Sequence, residues 1–150
     1  MLLTKMDEFS KSIFTAAIFR EQAAEKLYLD LADKTKIASV KQLFLKLAEE
    51  EKIHEALFKK MDLSILEKVN SQDLNMLRIR FETPSTIDKQ EINETIDFAI
   101  KEEERAINDY QILAKYLPFS EGKSVIDNII TQEKRHKNLL QKLKLDFNQN

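Results

Sequence analysis

The sequence predicts an all-α four-helix bundle, made of two helical hairpins joined by a long crossover, and three observations predict it. Turn-forming residues are nearly absent: one glycine, Gly122, and two prolines, Pro84 and Pro118, cannot punctuate an all-β domain of 150 residues. Four segments carry apolar residues at helical spacing. The spaces between them run short, long, short, which makes two antiparallel pairs and one connection able to travel the length of a bundle. With 43% hydrophobic residues, residues 1–150 are expected to form one domain with a sizeable core. The hairpins fall at about 10–61 and 90–145 and the crossover at about 62–89.

In the first segment Phe14, Ala17, Glu21, Ala24, Tyr28 and Leu31 share a stripe. A polar link from Asp33 to Ser39 leads to the second, where Val40, Leu43, Leu47, Glu51, His54, Phe58 and Met61 do the same. The stretch from Asp62 to Gln90 has weaker periodicity, and Asp88 with Glu91 three residues on reads as a helix start. The third stripe is Ile92, Ile96, Ala99, Glu103, Ala106, Tyr110 and Leu113. After a link from Pro118 to Gly122, the fourth is Ile126, Ile129, Glu133, His136, Leu140 and Leu143. Every stripe is interrupted by ionisable residues.

The chain also repeats itself. A shift of 82 residues carries Glu21 onto Glu103, Tyr28 onto Tyr110, Glu51 onto Glu133 and His54 onto His136 without a gap, with Ala17, Ala24, Leu31 and Leu57 landing on like residues. One hairpin is used twice.

Bulk properties narrow the chemistry. A third of the residues are charged, yet the net charge is only -2, so no broad basic face for nucleic acid is implied. Without cysteine there is no disulfide, thiolate metal site or cysteine nucleophile, and any metal must be held by nitrogen and oxygen. No segment has the apolar run of a signal peptide or the roughly 20 apolar residues of a membrane span, so a cytoplasmic protein with no membrane partner is expected.

Residues three apart share a helix face, so Glu51 with His54, and Glu133 with His136, each project a carboxylate and an imidazole together. A Glu-x-x-His from each of two helices plus a Glu from each of the other two is the ligand set of carboxylate-bridged di-iron and di-manganese bundles. Glu21, Glu51, His54, Glu103, Glu133 and His136 supply it. By the repeat, Glu51 and Glu133 would bridge, with Glu21, His54, Glu103 and His136 terminal. A lone Glu-x-x-His in a charged helix is ordinarily solvated surface. Here the only two histidines occupy matched repeat positions, and all six residues lie on apolar stripes. Burying four carboxylates without metal would cost several kcal/mol each, against a net domain stability of about 5 to 15 kcal/mol; two divalent cations would cancel the four charges. No catalytic residue beyond these is singled out. Tyr28 and Tyr110, two turns from the terminal glutamates, read as core with a satisfied hydroxyl, a hydrogen bond to the ligands or a role in electron transfer being the alternative. Glu49, Glu50, Glu102 and Glu104 read as a solvated face.

At these residues the sequence resembles the rubrerythrin-like branch of the ferritin-like superfamily. Ala17-Ile18-Phe19-Arg20-Glu21 through Tyr28, and Leu47-Ala48-Glu49-Glu50-Glu51-Lys52-Ile53-His54, look like that family's first and second helices, and Glu133-Lys134-Arg135-His136 like its fourth, over about residues 10 to 145. The resemblance implies a ferritin-like bundle with two iron ions, oxidised by hydrogen peroxide or dioxygen and reduced by an electron donor. Rubrerythrins proper carry a further glutamate ligand three residues from the first on the third helix, where this chain has Ile100 and Ala106. Their cysteine-ligated rubredoxin domain is also missing, so the donor would be external. Bacterioferritins place a haem-ligating methionine directly after the bridging glutamate of the second helix; here it is Lys52.

The first functional expectation is therefore a di-iron oxidoreductase reducing peroxide or dioxygen. Iron storage by ferroxidase chemistry in a hollow oligomer, and a non-catalytic metal-binding bundle, are the alternatives. Manganese fits the same mixed shell and zinc is a plausible substitute. A homodimer is among the assemblies left open. Hemerythrin-like oxygen carriage would need more than two histidines.

Overall fold

The computed structural model describes residues 2–61, 92–117 and 121–148, with side chains from residue 14 onward and excluding residue 121. It is an all-α bundle of four helices: α1 (Leu2–Lys34), α2 (Ala38–Lys60), α3 (Ile92–Lys115) and α4 (Glu121–Asn148). The expected crossover and the helix start at Asp88 and Glu91 lie outside the described residues.

Each boundary has a local cause. After α1 the Thr35 hydroxyl oxygen accepts the Ile37 N–H at 3.3 Å, offering the backbone an alternative to another helical turn. Ile37 is extended, and α2 begins beyond it, with the Lys41 N–H donating to the Ile37 carbonyl at 2.9 Å. Lys34, Lys59, Lys60 and Lys115 sit in last turns, where cations complement the helix dipole. At the end of α3 the N–H groups of Tyr116 and Leu117 donate to the Leu113 and Ala114 carbonyls, tightening the last turn. Pro118 follows and disfavours helical geometry at the residue before it. Gly122 belongs to the first turn of α4 rather than to the link.

Helix α1 packs along α2 and α3 along α4, and the hairpins meet through α1 against α3 and α2 against α4. The stripes all face inward. Their apolar members divide into two layers. One contains Phe14, Ala17, Phe58, Tyr110, Leu113, Ile126 and Ile129; the other contains Tyr28, Leu31, Phe44, Leu47, Ile96, Ala99, Leu140 and Leu143. On every helix the ionisable stripe residues fall between a segment belonging to one layer and a segment belonging to the other: Glu21 between Ala17 and Tyr28, His54 between Leu47 and Phe58, Glu103 between Ala99 and Tyr110, Glu133 and His136 between Ile129 and Leu140. A polar layer is thus closed above and below by apolar ones. Each fully buried Leu, Ile or Phe contributes about 1.5 to 3 kcal/mol, enough in sum to offset a costly centre.

Candidate metal centre

All six residues singled out in the sequence converge at mid-bundle and are buried, none more than 3% exposed. Their carboxylate oxygens and imidazole nitrogens form two overlapping groups. Glu21, Glu51, His54 and Glu133 bring one atom each within 4.8 Å of one another, and so do Glu51, Glu103, Glu133 and His136. Glu51 and Glu133 belong to both groups; Glu21 with His54, and Glu103 with His136, belong to one each. The imidazole rings lie nearly parallel, with centroids 6.0 Å apart.

Each imidazole turns Nδ1 to the carboxylates and Nε2 away from them. His54 Nδ1 is 2.7 Å from Glu133 Oε1, 3.3 Å from Glu51 Oε2 and 3.6 Å from Glu21 Oε2. His136 Nδ1 is 2.8 Å from Glu51 Oε1 and 3.5 Å from Glu103 Oε1. On the outer side His54 Nε2 lies 2.6 Å from Gln132 Oε1, and His136 Nε2 lies 2.7 Å from Glu50 Oε2. An oxygen at the outer nitrogen holds a proton there, so that Nδ1, once it gives up its own proton, directs a lone pair at the centre. Glu50 is thus not the purely solvated acid expected of it: it is half-buried, and its other oxygen accepts from Arg135 Nη2 at 2.6 Å. Glu49 is exposed as expected, while Glu104 pairs with Lys137 and Glu102 with Arg105 on the outer faces.

The two tyrosines are tied to the centre crosswise. The buried Tyr28 hydroxyl on α1 donates to Glu103 Oε1 on α3, and the buried Tyr110 hydroxyl on α3 donates to Glu21 Oε1 on α1, the latter at 2.6 Å. The hydrogen bond that the sequence offered as an alternative is present, and it coexists with core packing: Tyr110 packs on Phe58 with centroids 5.2 Å apart. Burial and the adjoining carboxylates hold both phenols well above their ordinary range, so they remain donors.

The electrostatics reflect four crowded acids. Burial, then repulsion from Glu21 and Glu103, pushes Glu51 well up; burial, then Glu103, Glu51 and Glu21, does the same to Glu133. Burial would lift Glu21 too, but the adjoining Glu51 and His54 and the hydrogen bond from Tyr110 outweigh it and the net direction is down. Burial would lower both histidines. At His54 the carboxylates of Glu133, Glu21 and Glu51 beside Nδ1 reverse it, and at His136 Glu103 and Glu133 do, so both are raised. Without another cation, the centre balances its charge with protons.

Even so, Glu21 Oε2, Glu51 Oε2, Glu103 Oε2, Glu133 Oε1 and His54 Nδ1 have no hydrogen-bond partner among the described residues, although buried. Orphaned atoms of this kind normally cost about 1 to 3 kcal/mol each, more when charged. Hard oxygen donors with two imidazole nitrogens, drawn together yet unsatisfied by one another, fit divalent metal chemistry.

A rubrerythrin family model matches residues 12–144. The chain belongs to the rubrerythrin family. Among solved structures it is similar to a Thermotoga maritima protein assigned as ferritin-like and diiron-carboxylate, at 28% identity over 91% of this chain and 93% of that one, with a TM-score of 0.66. A hypothetical protein of Pyrococcus furiosus is 25% identical over 97% and 96%, also at 0.66. A dodecameric thioferritin of Bacteroides fragilis, bacterioferritin-related, shares the fold at 21% identity over 98% and 92%, with a TM-score of 0.69. No curated protein matches the sequence. The rubrerythrin-family site has Ala106 buried and Ile100 partly buried at the positions flanking Glu103, so neither supplies a further carboxylate.

Sequence reasoning missed three features of this site. Glu50 and Gln132 immediately precede Glu51 and Glu133 and are related by the 82-residue repeat, which was the signal that could have found them. The third is Asp109, fully buried beside Tyr110 and joined at 2.9 Å to Arg20 on α1. Arg20 also lies over the Tyr110 ring, 5.9 Å from its centroid. Neither residue has a counterpart in the repeat, where Glu102 and Leu27 stand, and no sequence signal marked them. Among the described residues no helix is long and apolar enough to cross a membrane.

Proposed function

We propose that this rubrerythrin-family bundle works in the cytoplasm with two metal ions, iron in the first place, at Glu21, Glu51, His54, Glu103, Glu133 and His136, and reduces hydrogen peroxide or dioxygen with electrons from an external donor. The supporting observation is the pair of overlapping ligand groups that share Glu51 and Glu133. Shared carboxylates suit bridges, and the residues found in one group only suit terminal ligands. Two bound iron(II) ions would supply one electron each, which together with two protons balances reduction of one hydrogen peroxide to two waters.

The chain's own residues organise that chemistry. Tyr28 and Tyr110 keep their protons and hold Glu103 and Glu21 by one oxygen each, leaving the second free to ligate. The outer contacts of His54 and His136 fix the ring orientation. The apolar layers keep bulk water from the centre and strengthen every electrostatic interaction within it. Stopped-flow mixing of the iron(II)-loaded protein with peroxide, and separately with dioxygen, tests the reading: oxidation by at least one of them should outpace that of free iron(II). Equal rates for protein-bound and free iron would overturn it.

A second reading, ferroxidase chemistry feeding storage in a hollow oligomer, draws support from the dodecameric thioferritin that shares the fold. Sedimentation of the purified protein decides between the two, because a monomer or dimer encloses no store.

A further inference from the structure

We infer that the two halves of the centre bind metal unequally, the position built from Glu103 and His136 being the tighter because the outer nitrogen of His136 donates to a carboxylate, Glu50, whereas that of His54 donates to an amide, Gln132. The inference rests on the dinuclear reading above.

The comparison is controlled by the repeat. Glu50 and Gln132 are the same position in the two hairpins, each directly before a shared glutamate, and each reaches across to the histidine of the other hairpin. The residue before each histidine differs as well, Ile53 in one and Arg135 in the other. Arg135 donates to Glu50 Oε1 at 2.6 Å, so the carboxylate facing His136 is held from its far side. Ile53 is half-exposed and apolar, and can hold nothing in that way. The structure therefore builds a three-member chain, Arg135 to Glu50 to His136, on one side and a two-member neutral contact on the other.

A hydrogen bond to an ionised acceptor is about twice as strong as one between neutral groups. Drawing the Nε2 proton toward a carboxylate raises electron density at Nδ1 and makes it the better donor to a cation. Glu50 also adds negative charge near the ion, partly offset by Arg135, which is itself 44% exposed and so screened by solvent. Exchanging such a supporting group typically changes metal affinity 10- to 100-fold. Glu50 and Gln132 are positioning residues on this argument, since neither belongs to the ligand groups.

The test is a titration of the metal-free protein with manganese(II), followed by calorimetry and by electron paramagnetic resonance, which separates lone from coupled ions. Two steps are expected, with constants about tenfold or more apart. Glu50→Gln should weaken the tighter step about tenfold and leave the other within about twofold. Gln132→Glu should strengthen the weaker step by a similar factor, a gain that loss of structure cannot mimic. His54→Ala should retain the tighter site and His136→Ala the weaker. Two equal steps, or a ratio unmoved by both exchanges, overturn the inequality while leaving the dinuclear reading intact. Failure to bind manganese or iron(II) at all overturns both.

Discussion

The two hairpins agree in what they aim at the centre and differ in what stands behind it. Glutamate, tyrosine and Glu-x-x-His recur at a spacing of 82 residues, and the structure places them as a near-symmetric polar layer with crosswise tyrosine contacts. The supports do not recur. Glu50 corresponds to Gln132 and Ile53 to Arg135, and the partly buried Arg20–Asp109 pair joining α1 to α3 has Glu102 and Leu27 at the related positions. A shared demand for two similar sites explains the first set. The second shows that the packing around a repeated polar layer has diverged between the two hairpins.

The largest effects should come from breaking the symmetric layer. Glu51→Ala or Glu133→Ala removes a member of both ligand groups, so each should lose both ions, whereas Glu21→Ala or Glu103→Ala should lose one. Metal content per chain after desalting reads this directly, and retention of two ions in Glu51→Ala would break the assignment of bridges. At a free metal concentration about a thousandfold above Kd, binding should stabilise the fold by about 4 kcal/mol, which is roughly 10 °C or more in Tm for a chain of this size.

That stabilisation should grow with pH. Glu51 and Glu133 are raised by burial and by neighbouring carboxylates, and His54 and His136 are raised because those carboxylates outweigh burial. A raised group contributes stability that is complete below its unfolded pKa and is lost as pH rises through its folded one. The metal-free protein should therefore be more stable at about pH 5.5 than at about pH 8, while metal, displacing those protons, binds better at the higher value. Glu21, whose net direction is down, acts the opposite way, but only as pH falls through the ordinary carboxylate range near 4.5 and below. Thermal unfolding with and without metal at the two pH values should show the gap in Tm widening upward; a constant gap would break the account of proton-balanced charge.

The asymmetric supports come next. Asp109 is fully buried and Arg20 partly so, and they are joined at 2.9 Å, so Arg20→Met removes a cation from beside a buried acid and should cost about 1 to 3 kcal/mol. Adding Asp109→Leu, the residue that Leu27 represents in the other hairpin, should recover most of the loss. Denaturant midpoints of the single and double variants measure it. A double variant no better than the single would mean that the pair is valued for its other contacts.

Why the centre was readable from sequence and its supports were not follows from geometry. A helix of period 3.6 turns stripe membership into burial with little further information, so Glu21 and His136 could be placed in the core from their apolar neighbours alone. All four stripes, the two hairpins and the convergence of the six Glu and His residues follow from that rule and the repeat. Glu50 lies one residue off the stripe. Its role depends on which neighbouring helix stands beside α2 and on how far α4 is displaced along it, and a single stripe carries neither quantity. Asp109 is similar: one acid among many in α3, it becomes distinctive only when α1 brings Arg20 against it. Residues acting toward the bundle axis are encoded by one helix, and residues acting between helices by two.

The smallest effect is the most exacting test of symmetry. Tyr28→Phe and Tyr110→Phe each remove one hydroxyl from a buried carboxylate, on Glu103 and Glu21 respectively, and leave the ring packing in place. Each should cost about 1 to 2 kcal/mol in the metal-free protein, where the abandoned oxygen has no other donor of equal quality. Metal takes over the neutralisation of that oxygen, so the cost should shrink in the loaded protein. If the hairpins are equivalent at this level, the two variants will agree within about 0.5 kcal/mol. Tyr110 differs in having Arg20 over its ring, but phenylalanine keeps an aromatic face for that cation, so the contact should survive the exchange. A larger loss from Tyr110→Phe than from Tyr28→Phe would mean that the asymmetry of the supports reaches the buried carboxylates through Arg20, and that Glu21 depends on its tyrosine more than Glu103 does.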